Sequence, residues 1–379
     1  MNDPASLNCK IEQLVEDYLA SRSKVGVMVA VWQAEQTYIQ GFGQTSGSAS
    51  VPPSASMLFE IGSVTKVFTG ILLSRLELDG IVKLDDSIAS YLPSSTIVPE
   101  PVQAITLRQL ATHTAGLPRL PANFFEVTED PYNPYVSYKA LHLYAALEQM
   151  QLVHPPGQYY EYSNLGMGLL GHVLELKTEK SYEALVKQLV CQPLNLTDTV
   201  VTVSPQQQLR QMAGYRPEYS QDGAFIDWVP TPHWQAGVLV GCHGLQSTAG
   251  DLLKFVAAAV GNTDMNIAID TNIAIDTTDT ADTTVAKAID RVCQKHTSYW
   301  LDDVGLGWNI QQTCEGWIFH WQNGGTGGFV SFLGLNRANQ VGVVLLSNYG
   351  DAMVDDRSLT TMGLTLLRYA SRLDLTSLP

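Results

Sequence analysis

The sequence predicts an α/β fold of the α+β type, with one antiparallel sheet from both chain ends, flanked by helices, and an inserted mostly helical domain. Three observations carry this: strand patterns concentrate at residues 25–42 and 305–346, the long middle reads as helix and loop, and neighbouring strands are joined by short turns. Short turns join antiparallel strands, whereas a parallel doubly wound sheet needs a crossover of a dozen or more residues. A discontinuous sheet domain is therefore expected over 1–57 and 235–379, with the helical domain over 58–234.

Taken in order, an amphipathic helix is expected near 11–20. Residues 25–32 are a continuous apolar run and 37–42 follow a polar turn, so they form a strand pair. After Pro52 and Pro53, the segment 58–80 carries Val64, Val67, Phe68, Ile71, Leu72 and Leu76 at helical spacing and stops at Asp79-Gly80. It reads as one helix with Ser63 in its first turn. Further helices are expected at 165–176 and 182–190, and one at 249–260 capped by Ser247-Thr248. Strands follow at 305–311, 316–321, 328–335 and 341–346, the last two joined by a hairpin at 336–339, and a helix at 357–371 closes the chain. Between them NIAIDT occurs twice, at 266–271 and 272–277, ahead of a Thr/Asp-rich tract. Two six-residue copies are too few for a solenoid, so 263–284 reads as a surface insertion.

Lys plus Arg number 22 against 37 Asp plus Glu, a net charge of −15, and no dense basic run exists. Phosphate backbones and anionic lipids are bound by clustered cations, so neither nucleic acid nor membrane is an expected partner. The apolar stretches are strand-length. Residues 1–10 have no basic-then-apolar leader pattern, and the five cysteines show no CxxC spacing. A cytoplasmic location with free thiols is the expectation. The eight histidines form no HExxH and no pair at metal-ligand spacing with a carboxylate, so no metal centre is expected, and no other cofactor is expected either; the absence of GxSxG removes the common nucleophile elbow.

Ser63-Val64-Thr65-Lys66 is an SxxK tetrapeptide. On a helix, residues i and i+3 share a face, so the lysine amine can reach the serine oxygen and help remove its proton. The pattern alone is weak, since Ser21-Arg22-Ser23-Lys24 also fits; that copy precedes a strand and has no helix face to share. Tyr162-Ser163-Asn164 adds a phenol that can shuttle a proton and an amide that can orient lysine and substrate. On its own the tripeptide is better read as a tyrosine packed at a helix start with Asn164 as its cap. Gln322-Asn323-Gly324-Gly325-Thr326-Gly327-Gly328-Phe329 places four glycines at a strand boundary, where a backbone N–H can join that of Ser63 in an oxyanion hole. Trp308, Trp321 and Tyr349 are candidates to line a cleft.

In that order, SVTK, YSN and a strand ending in GTGGF resemble the serine β-lactamase and penicillin-binding-protein superfamily, most closely the class C β-lactamases, D,D-peptidases and related esterases. FEIGSVTK (59–66), ITLRQLATHTAGLP (105–118), PPGQYYEYSN (155–164) and GLQSTAGDL (244–252) agree, so the similarity spans nearly the whole chain outside 263–284. The resemblance implies that Ser63 is acylated, Lys66 and Tyr162 share base and acid duty, and Asn164, Gln322, Gly324 and Gly325 bind substrate. It implies that the N–H groups of Ser63 and Gly325 hold the oxyanion. One departure matters: the family usually has Lys or His where this chain has Gln322, and that cation helps to bind a substrate carboxylate. His320, two residues back on the same strand face, is the candidate replacement.

The expected function is hydrolysis of a small-molecule ester, amide or β-lactam through an acyl-Ser63 intermediate. An esterase or D-amino-acid-type peptidase is favoured over a dedicated β-lactamase. The alternatives are an acyltransferase or peptide cyclase built on the same acyl-enzyme, and a non-catalytic binding module with the same fold.

Overall fold

The computed structural model describes residues 4–33, 36–45, 51–261, 283–299, 302–350 and 358–372. Helix α1 (Pro4–Leu19) buries Ile11, Val15 and Tyr18, spaced by one helical turn each. Strands β1 (Gly26–Gln33) and β2 (Gln36–Gly43) then form the expected antiparallel pair. Every residue of β1 is buried, because both faces of the sheet are covered.

The segment expected as one helix at 58–80 divides. Leu58–Glu60 is strand β3, residues 62–64 make a single 3₁₀ turn, and only Thr65–Leu78 is helix α2. The reason is tertiary: β3 pairs with a distant strand, Leu58 opposite Thr248, and a short apolar run does not reveal such a partner by periodicity. Val64, Val67, Phe68, Ile71, Leu72 and Leu76 are fully buried or nearly so. Each contributes about 1.5–3 kcal/mol, a sum comparable with the net stability of an ordinary domain.

The middle holds the short helices α3 (Glu100–Gln103), α4 (Leu107–Ala111) and α5 (Ala140–Glu148), then the long α6 (Asn164–Thr178). Helix α7 (Tyr182–Val186) runs into a π-type turn through Cys191, so the helix expected at 182–190 is regular only in its first half. Helix α8 (Pro205–Gln208) leads to a hairpin of β4 (Gly214–Tyr219) and β5 (Phe225–Thr231) that the sequence did not suggest. Pro217 and Pro230 interrupt its strand pattern, which an isolated two-stranded ribbon tolerates.

Strand β6 (Gln246–Thr248) pairs with β3, and Thr248, not Ser247, caps α9 (Ala249–Ala259) by accepting from the Asp251 N–H. The insertion expected at 263–284 lies outside the described residues except for its last two, which begin α10 (Thr283–Val292). Strands β7 (Thr297–Tyr299), β8 (Asp302–Val304), β9 (Asn309–Gln312), β10 (Ile318–Gly325), β11 (Val330–Asn336) and β12 (Val341–Ser347) follow, then α11 (Ser358–Arg372). The strand expected from 305 starts at Asn309, because residues 305–308 instead pack over α2; a side chain at Gly307 would collide with the Lys66 carbonyl.

The main sheet has eight strands in the order β2-β1-β12-β11-β10-β9-β8-β7. All its pairings are antiparallel, and β1 pairs with β12 from the far end of the chain, as the predicted fold requires. One sheet face, with Met28, Ala30, Leu333 and Leu346, packs on α9 and shares its core with α2; the other, with Val27, Val29, Phe332 and Leu345, packs on α1 and α11. Alternation along each strand thus serves two cores.

Candidate active site

Strand β3 delivers the chain to Ile61, whose N–H donates to the Leu245 carbonyl (3.1 Å) and whose carbonyl accepts from Ser331 Oγ on β11 (2.8 Å). The start of the turn is therefore tied down through both backbone polar groups of Ile61 before Ser63 is reached. Ser63 lies in the 3₁₀ turn ahead of α2, not in the first α-helical turn, but the turn feeds directly into the helix and the i, i+3 geometry survives. Lys66 Nζ donates to Ser63 Oγ at 2.8 Å.

Lys66 is fully buried, and its ammonium has three acceptors: Ser63 Oγ, Asn164 Oδ1 at 2.9 Å and the Cys242 carbonyl at 2.8 Å. It also lies 4.9 Å from the centre of the Tyr162 ring. Three N–H groups with three acceptors, each bond to a charged donor contributing about 1.5–3 kcal/mol, offset the loss of hydration. Among the described residues no carboxylate reaches ion-pair distance of Lys66, and the groups that hold its amine are neutral oxygens.

The Tyr162 hydroxyl lies 2.8 Å from Ser63 Oγ, on the oxygen that Lys66 also touches. A residue that sequence reasoning missed sets its position. His113 accepts through Nδ1 from the Ser163 N–H (3.2 Å), its carbonyl accepts from the Glu161 N–H (2.8 Å), and its ring packs 4.5 Å from that of Tyr162. It adopts φ 58°, an uncommon backbone conformation for a non-glycine residue, held by these contacts on both sides of the tyrosine. Burial, and then the Lys66 charge, push the His113 imidazole down to about 3, so it stays neutral.

Ser163, not Asn164, caps α6: its Oγ accepts from the Gly166 N–H and donates to the Pro118 carbonyl. Relieved of capping, the Asn164 side chain enters the site. Its Oδ1 takes Lys66, and its Nδ2 donates to the Tyr135 hydroxyl at 3.1 Å. Tyr135 is also absent from the sequence-level candidates. It stacks 3.8 Å from His243, another imidazole driven to about 3 by burial and the Lys66 charge. Burial also pushes the Cys242 thiol up to about 11. One amine is thus surrounded by groups kept neutral.

Strand β10 forms the facing wall. A Cβ on Gly324 would lie 2.1 Å from the Ile61 carbonyl and 2.9 Å from the Ser63 nitrogen, so only glycine allows the strand this close. Gly324 therefore packs against the nucleophile turn, whereas Gly325 is exposed and a Cβ there would meet nothing within 4 Å. Gln322 is buried, with Oε1 accepting from Asn309 Nδ2 at 3.0 Å. His320 does share its face, but it cannot replace the missing cation. Its Nε2 is committed to the Cys293 carbonyl, and burial pushes the imidazole down to about 4. Of the aromatic candidates, Trp308 packs edge-on to His320, while Trp321 and Tyr349 belong to the core on the other side of the sheet. Among the described residues no cluster of three or more His, Cys, Asp or Glu could hold a metal.

The arrangement places a serine hydroxyl against both an amine and a phenol, with the backbone at the end of β10 close beside the same turn, and a hydroxyl so placed suits acyl transfer. The family model described as Beta-lactamase matches residues 11–364. The D-alanyl-D-alanine-carboxypeptidase/endopeptidase AmpH of Escherichia coli (strain K12) is 25% identical, covering 91% of this chain and 85% of its own. A beta-lactamase of Pseudomonas fluorescens is 25% identical, covering 89% and 92%. Among solved structures, a class C beta-lactamase aligns with TM-score 0.76 at 20% identity, covering 97% of each chain. One from Rhodobacter sphaeroides aligns with TM-score 0.74 at 21% identity, covering 95% and 99%.

Proposed function

From the premise that this chain belongs to the beta-lactamase family and is a serine acyl-enzyme hydrolase, we propose that Ser63 is its nucleophile and that it cleaves esters or small D-amino-acid peptides in preference to β-lactams. The observation that carries the reading is the placement of Ser63 Oγ 2.8 Å from both Lys66 Nζ and the Tyr162 hydroxyl.

In this mechanism Ser63 Oγ attacks the substrate carbonyl carbon as its proton passes into the Lys66–Tyr162 pair. The Ser63 and Gly325 N–H groups stabilise the oxyanion, an interaction of roughly 3–4 kcal/mol per donor in comparable sites. Tyr162 returns the proton to the leaving alcohol or amine as the tetrahedral intermediate collapses to the acyl-enzyme. Water, deprotonated by the same pair, releases the acid and restores Ser63.

The preference rests on β10. Gln322 is neutral and His320 is neutral and committed, so this wall offers hydrogen bonds but no charge to a substrate carboxylate. The relative named as a D-alanyl-D-alanine carboxypeptidase supports the peptidase arm. Cys9, Cys191, Cys242, Cys293 and Cys314 are all unpaired, which supports a reducing, cytoplasmic setting.

The test is to incubate the protein and Ser63→Ala with a fluorophosphonate, a fluorescent penicillin and a p-nitrophenyl ester panel, and to locate adducts by mass spectrometry. The expected result is an adduct on Ser63 with ester turnover and slow penicillin reaction. Rapid penicillin turnover would overturn the preference, and a folded protein unlabelled at Ser63 would overturn the assignment.

A further inference from the structure

The cation missing from β10 has a counterpart on the opposite wall. Arg119 lies at the end of the loop that follows α4, and its guanidinium carbon sits 5.2 Å from the centre of the Tyr162 ring. The loop is fixed to the segment that directly follows that ring by two bonds: Ser163 Oγ donates to the Pro118 carbonyl (2.7 Å), and the Leu165 N–H donates to the carbonyl of Arg119 itself (3.1 Å). The charge is therefore held one tyrosine ring away from the nucleophile.

Arg119 differs from the other arginines of the helical region. The guanidinium of Arg108 is taken by Asp85, that of Arg210 by Asp198, and that of Arg75 by Asp79. Arg119 is exposed and, among the described residues, makes no side-chain hydrogen bond or ion pair; its contact is the tyrosine face. Stacking on a ring leaves the edge of the guanidinium fork, the part that binds carboxylates bidentately, open to solvent. Among the described residues, the other basic groups that surround Ser63 and Gln322 are already committed or buried. Lys66 has three acceptors, while His113, His243 and His320 are buried as neutral rings.

We propose that Arg119 is a specificity-determining residue that binds a carboxylate on the acyl substrate from the Tyr162 side of the cleft. The role that the family's Lys or His fills on β10 is thereby moved across the site, so that carboxylate-bearing esters or peptides are preferred over neutral ones. The inference rests on the hydrolase reading above. It is distinct from it, because Arg119 takes no part in forming or breaking a bond.

The experiment uses two matched pairs of aryl esters, one pair bearing a carboxylate or a carboxamide in the acyl half, the other bearing them on the leaving group. kcat/KM is measured for the wild type, Arg119→Gln and Arg119→Lys at low and high salt. The expected result is a carboxylate preference in at least one pair that falls about 10–100-fold in Arg119→Gln, the range of a charge-assisted pair. Arg119→Lys retains part of it, and high salt reduces it in the wild type. The responsive pair identifies the half of the substrate that carries the anion. Turnover with a carboxylate-to-carboxamide ratio unaffected by Arg119→Gln in both pairs would overturn the inference and leave the hydrolase reading standing. No turnover of any ester, with Ser63 unlabelled by fluorophosphonate, would overturn both.

Discussion

A methyl group on Gly62 would lie 2.7 Å from the backbone nitrogen of Gly325, and Gly62 itself adopts φ +48°. The turn before Ser63 and the end of β10 touch backbone to backbone, the closeness that the proposed pairing of the Ser63 and Gly325 N–H groups on one carbonyl requires. Gly62→Ala must therefore push the walls apart, besides costing about 1–2 kcal/mol for a left-handed alanine. The expected outcome is a loss of at least 10²-fold in kcat for ester hydrolysis, the scale of one lost oxyanion donor. Thermal unfolding alongside the kinetics separates this from loss of folded protein; wild-type kcat would exclude a role for the Gly325 N–H.

Tyr162→Phe removes the hydroxyl but keeps the ring against His113 and Lys66. kcat is expected to fall about 10²–10⁴-fold, the usual contribution of a positioned proton-transfer group, with Tm within a few degrees of wild type. Stopped-flow acylation by a p-nitrophenyl ester measures the step directly, and an unchanged rate would assign the proton transfer to Lys66 alone.

His113 and His243 are held near 3 and His320 near 4, against 6.5 for an ordinary histidine, chiefly by burial. Their folded-state values are depressed, so the unfolded chain takes up protons first as the pH falls. Their contribution is fully present above about 6.5 and is lost between there and about 3, at about 1.4 kcal/mol per pH unit for each histidine. Tm should decline steadily from pH 6.5 to pH 4, and His243→Asn should reduce the slope. A flat Tm across that range would contradict the buried neutral rings.

Gln322→Lys restores a cation to β10 but deprives Asn309 Nδ2 of its acceptor in a buried setting. The expected outcome is a stability loss of about 1–3 kcal/mol together with at least tenfold faster acylation by fluorescent penicillin. Chemical denaturation and label-incorporation rates read the two effects separately. Slower acylation at full folding would mean that the neutral amide is not what limits β-lactam reaction.

Much of this site is legible in the sequence because its parts are local. Ser63 and Lys66 are three residues apart on one turn, Tyr162 and Asn164 share a tripeptide, and the glycines of β10 announce a close approach. The residues that hold these parts in place are not local. His113 meets Tyr162 across 49 residues of chain, Tyr135 meets Asn164 across 29, and the Cys242 carbonyl meets Lys66 across 176. No periodicity records such contacts. The β3–β6 pairing that converts 58–60 from expected helix to strand is likewise invisible until the partner is placed.

The sequence by itself determined the order of the elements, the antiparallel sheet closed by the two chain ends, and the family of the chain, because burial periodicity and turn chemistry act over a few residues. The tertiary structure alone decided that Ser163 and not Asn164 caps α6, that His320 is a spent neutral ring, and that Arg119, without an ion-pair partner among the described residues, stands beside Tyr162. Those outcomes depend on desolvation and on charges acting through space, and both are set by which distant residues fold into contact.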